Sequence, residues 1–111
     1  MRKTLIAASI ATALSTAPAM AQNDDVYFAA GMLAVGEEAM LQCGFVREAN
    51  TLNRCANNFL WQANRAVRTR YQNAAVEASM VDIAGAGHCP TMWRQVRDML
   101  VLCFDNGLLA E

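Results

Sequence analysis

Apolar residues in this 111-residue chain recur at helical spacing almost throughout, and the strict alternation of a half-buried strand is missing. From a polar start at Asn23, Asp24 and Asp25, the positions Phe28, Met32, Val35, Ala39 and Cys43 return every three or four residues until Gly44 offers a stop. This spacing predicts a first helix. A second stripe runs through Phe45, Ala49, Leu52, Ala56, Phe59, Ala63, Ala66 or Val67, and Ala74 without a glycine or proline, which predicts one long helix. Arg70 falls in the middle of that stripe, so the phase is expected to change there, with a short further helix over 74–81 and a small-residue loop from Ala84 to Gly87. Pro90 suits the first position of a last helix, with Cys89 just before it. Its apolar face follows Met92, Val96, Met99, Leu100 and Cys103, and Asn106-Gly107 ends it. The fold class expected is all-α: a small bundle of three to four helices.

The first 21 residues change the picture of where such a bundle matures. Arg2 and Lys3, an apolar run from Leu5 to Leu14, and Ala19-Met20-Ala21 have the order of a Sec-type signal peptide cleaved after Ala21. The domain reading is therefore a signal peptide at 1–21 and a single helical domain at 22–111, periplasmic or secreted. The apolar run is shorter than the roughly 20 residues a membrane span needs. The remaining 90 residues would bury only about 60–65% of the surface the unfolded chain exposes, a small interior that gains from staples.

Cys43, Cys55, Cys89 and Cys103 supply them: an even number in an exported chain predicts two disulfides. Zinc is less well supported, since no Cys-x-x-Cys pair exists and His88 is the only histidine. Four cysteines allow three pairings. Cys89 and Cys103 lie about 21 Å apart along one helix and cannot join each other. Cys43 and Cys55 stand about 18 Å apart if the second helix starts at once. These nearly equal rungs suggest an antiparallel helix pair clamped twice, Cys43 with Cys103 and Cys55 with Cys89. The clamp resembles in geometry the twin Cys-x9-Cys helical hairpins, here with intervals of eleven and thirteen residues and over those four residues alone.

Beyond residue 21 the chain has seven arginines and no lysine against ten acidic residues, a net charge of −3. That balance excludes general nucleic-acid binding or attraction to an anionic membrane. His88 beside Cys89 suggests a thiol–imidazole pair, but sequence neighbours point apart, and a loop histidine next to a disulfide accounts for the pair as well. Met32, Met40, Met80, Met92 and Met99 form no Met-x-x-Met tract and are read as core filling. Asp24–Asp25 and Glu37–Glu38 are adjacent on helices and diverge by about 100°, poor geometry for acid–base work. There is no phosphate loop, no Gly-x-Ser-x-Gly and no haem-attachment string. The sequence implies no enzyme activity, no cofactor and no metal.

Trp61 calls for explanation. On the second helix it falls opposite Leu52, flanked by Arg54, Asn57, Arg65 and Arg68. Tryptophan and arginine are enriched at binding hot spots. Two readings are open: a central second helix that buries Trp61, or a free face offered to a partner, with the arginines favouring an acidic protein. Arg94 and Arg97 would extend that surface or pair with Asp98, Glu77 or Asp82, and Tyr27 and Trp93 would supply or cover it. The leading expectation is a non-enzymatic binding protein of the bacterial periplasm: an inhibitor, an immunity factor or an accessory subunit of an envelope or secretion machine. A second class resembles small disulfide-held acid chaperones of the periplasm, which expose apolar surface as carboxylates protonate. A third is a redox or metal carrier.

Overall fold

The computed structural model describes residues 24–109, so the expected signal peptide at 1–21 lies outside the described residues. Four helices follow one another: α1 (Asp24–Gln42), α2 (Val46–Trp61), α3 (Arg65–Ser79) and α4 (Cys89–Asp105). Among the described residues there is no strand, and no helix is long and apolar enough to cross a membrane.

The glycine stops act as the sequence suggests. At Gly44, with φ of 84°, the Phe45 N–H returns to the Met40 carbonyl and the Gly44 N–H to that of Leu41. This Schellman turn needs the left-handed conformation that glycine adopts without strain. Gly107 ends α4 in the same way, with Leu108 bonded back to Cys103 and Gly107 to Phe104.

The long second helix does not survive intact. It stops at Trp61, and Asn64 takes an extended conformation with its side chain accepting from the Val67 N–H at 3.0 Å. An N-cap asparagine thus starts a new helix where no glycine or proline stands. Ala63, Val67 and Ala74 nevertheless stay buried, so the apolar stripe keeps facing the core across the break. Ala66 is exposed, which settles that alternative for Val67.

Each break reverses the chain. Gly36 of α1 faces Leu52 of α2 as well as Val96 and Met99 of α4, while Glu37 meets Tyr71 of α3 and Gln42 meets the backbone at Ala78. α1 is the central element: it packs on all three others, whereas α3 rests on α1 and scarcely touches α4. This position corrects the stripe expected for the first helix. Val26, Ala29, Ala30, Leu33, Ala34, Ala39 and Met40 are buried, Phe28 is exposed and Met32 and Val35 are half-buried. A helix apolar on most sides has no unique face for periodicity to find. Close approach is set by Gly36, where a Cβ would stand 2.7 Å from the Met99 methyl and 3.2 Å from a Val96 methyl.

The disulfides form, but not in the expected pairs. Cys43 joins Cys89 and Cys55 joins Cys103, in place of Cys43–Cys103 and Cys55–Cys89. The reason is the number of reversals. α3 is a full leg of 15 residues rather than a short tail over 74–81, so the chain turns twice between α2 and α4 and the two run the same way. Start is tied to start, and middle to end. The resemblance to an antiparallel twin-cysteine hairpin therefore does not extend to the fold. With all four cysteines bonded, the structure carries the mark of an oxidising, exported environment.

Candidate functional site

α2 buries Ala49, Leu52, Cys55, Ala56 and Phe59. Arg54, Asn57 and Trp61 occupy the opposite side at intervals of three and four, which places them along one face. Among the described residues α2 packs mainly on α1 and α4, and Arg54, Asn57 and Trp61 are exposed. Trp61 is 83% exposed, and the reading that buries it in a central second helix is overturned.

The break at 62–64 alters how the other residues reach it. Arg65 and Arg68 belong to α3, not to the back of α2. Arg68 folds back over the turn: its Nε donates to the Leu60 carbonyl at 3.1 Å and its Nη2 to that of Trp61 at 3.4 Å. A fixed positive charge on the last carbonyls of a helix satisfies acceptors the ladder leaves open and suits the negative end of the helix dipole. Arg68 is thus a clasp that fixes the backbone carrying Trp61. Arg65, the first residue of α3, is exposed. Arg54 and Asn57 line a shallow cleft of about 320 Å³ with Asn58 and Leu109. Asn57 donates to Asn53, and Asn58 holds the C-terminal turn through the Leu108 carbonyl at 2.6 Å.

The remaining candidates lie elsewhere. Trp93 packs against Phe45 with centroids 6.2 Å apart and carries the Arg97 guanidinium 4.8 Å from its ring, while Tyr27 stands under Arg70. His88 is an exposed residue preceding α4, and Cys89 beside it is tied to Cys43. A bonded sulfur offers no thiolate, so that pair has no nucleophile. Met40 and Met99 are buried and Met32 and Met92 pack against the core, as core filling requires, but Met80 is 79% exposed.

Two polar devices are invisible in the sequence. Gln42 pins the loop after α3: its Oε1 accepts from the Ile83 N–H at 2.8 Å and its Nε2 donates to the Val81 carbonyl at 2.8 Å. Glu37 joins three helices, accepting from Asn53 of α2 at 2.9 Å and from the Tyr71 hydroxyl of α3 at 2.5 Å. Burial, and then the Glu37 carboxylate, push the Tyr71 phenol well above its ordinary pKa.

The sign of that shift makes the fold sensitive to alkali. Above about pH 10 an unfolded tyrosine loses its proton while folded Tyr71 keeps it, so stability falls as pH rises. Tyr71→Phe is expected to cost about 1–2 kcal/mol near neutrality and to flatten the decline in the urea midpoint above about pH 10. An unchanged alkaline profile in that variant would remove Tyr71 as its cause.

No known protein family matches the chain, and neither a curated protein nor a solved structure is significantly similar to it.

Proposed function

We propose that this chain is a small exported, non-enzymatic binding protein that presents the Trp61 corner to an acidic protein partner in the cell envelope, as an inhibitor, immunity factor or accessory subunit does. The observation that carries this reading is an 83% exposed tryptophan at a helix end whose backbone Arg68 holds in place. A large ring on a fixed backbone loses little conformational freedom on docking, and interface energy concentrates in such tryptophan and arginine residues. Arg54 and Asn57 share the exposed side of α2 with Trp61, and Arg65 opens the next helix; their donors suit carboxylates.

The test is capture from an exported fraction with the disulfide-bonded protein as bait. One stoichiometric partner is expected, with retention reduced by high salt. Trp61→Ala with Arg65→Ala is expected to weaken it by about 2 kcal/mol or more, while Met80→Ala, another exposed apolar residue, leaves it intact. Recovery that survives the double substitution would show that the partner docks elsewhere.

A further inference from the structure

Because α3 rests on α1 and scarcely meets α4, a trough remains between α3 and α4. Its volume is about 300 Å³, near the lower end of the range for small-ligand sites. Val35 of α1, Ala74 and Ala78 of α3, Met92 of α4 and Ile83 of the loop after α3 line it. Two alanines on α3 leave room that larger side chains would fill.

Arg70 lines the same trough. Its half-buried side chain lies across Gly31, where a Cβ would stand 3.1 Å from Nε and from Nη2, and the guanidinium sits 5.9 Å from the Tyr27 ring centre. Glu77 borders the trough seven residues on, about 10 Å along α3, where it is exposed. His88, also exposed, stands on the α4 side. Half-buried charge is screened less than exposed charge, so an anion entering the trough is drawn to the Arg70 end.

From this geometry we infer a binding site for a single-chain amphiphile with a carboxylate head, of the medium-chain fatty acid class, its head on Arg70 and its tail along Ala74 and Ala78 toward Ile83. Arg70 and Ala78 are eight residues apart, about 12 Å of helix rise, a span suited to one medium acyl chain. A guanidinium holds a carboxylate through paired charge-assisted hydrogen bonds, and the apolar walls take up the tail. Gln42 fixes Val81 and Ile83 through its side-chain amide, so the loop lining the trough is held before a ligand arrives and little ordering cost attends binding. This site is separate from the Trp61 corner and does not depend on that reading.

Isothermal titration of the disulfide-bonded protein with octanoate, 1-octanol and acetate tests it. Octanoate is expected to bind one to one, the alcohol at least about tenfold more weakly for want of the charged contact, and acetate not at all. Arg70→Met is expected to weaken octanoate by about tenfold or more, and Arg70→Lys, which keeps the charge but not the paired hydrogen bonds, to weaken it less than Arg70→Met. Absence of saturable octanoate binding, equal affinity for alcohol and acid, or an unaffected but folded Arg70→Met protein would each overturn the assignment. The acid-against-alcohol comparison needs no variant, so it decides the matter even if Arg70→Met fails to fold.

Discussion

Replacing Cys55 and Cys103 together by alanine is expected to lower the stability of the bundle by about 4 kcal/mol. The bond closes a loop of sequence separation 48, and on the chain-entropy model most of its effect comes from the states it denies to the unfolded chain. Both residues are fully buried, so the substitution also removes two core sulfurs. For a domain of this size, with a total stability of about 5–15 kcal/mol, that is a large fraction. The Cys43–Cys89 bond has a separation of 46 and is expected to matter similarly, but the two loops interleave and their effects will not add. Urea unfolding of the oxidised protein, the variant and the fully reduced protein measures both. A midpoint that reductant does not move would mean that the helices hold without their cross-links.

Phe59→Ala is expected to cost about 3–5 kcal/mol, whereas Trp61→Ala, two residues later, is expected to change stability by no more than about 0.5 kcal/mol. Among the described residues Phe59 is the largest fully buried side chain, and it belongs to an apolar cluster to which α1, α2, α3 and α4 all contribute. Its loss leaves a cavity that the cross-linked helices cannot close freely. Trp61 has almost no folded contacts to lose. Thermal melts followed by far-ultraviolet circular dichroism compare the two directly. A drop of similar size for both would mean that Trp61 is packed, and the case for a binding corner would fall with it.

Much of the architecture could be read from the chain because local rules act locally. The stripe Ala49, Leu52, Ala56 and Phe59 lies on an amphipathic helix, so its period names the buried face. Gly44 and Gly107 end helices by their own conformational freedom. What the sequence hides depends on assembly. Asn64 breaks a continuous stripe with one side-chain hydrogen bond. The face of α1 is ambiguous because that helix is surrounded. The cross-link pattern turns on whether the chain reverses once or twice between Cys55 and Cys89, a count that helical periodicity in 65–79 does not reveal. Trp61 follows the same logic, since its exposure is decided by which helix stands in the centre. Gln42 carries no sequence signal, and Arg70 shows only as a charge within an apolar stripe: one becomes a clasp and the other a cation lining a trough only once α3 lies on α1.

The most direct test of the parallel α2–α4 pair is a tryptic map of the unreduced protein. Cleavage at Arg47 separates Cys43 from Cys55, and cleavage at Arg94 and Arg97 separates Cys89 from Cys103. Two linked peptide pairs are expected, one joining Cys43 to Cys89 and the other Cys55 to Cys103. Peptides joining Cys43 to Cys103 and Cys55 to Cys89, or carrying free thiols, would contradict the arrangement of helices described above.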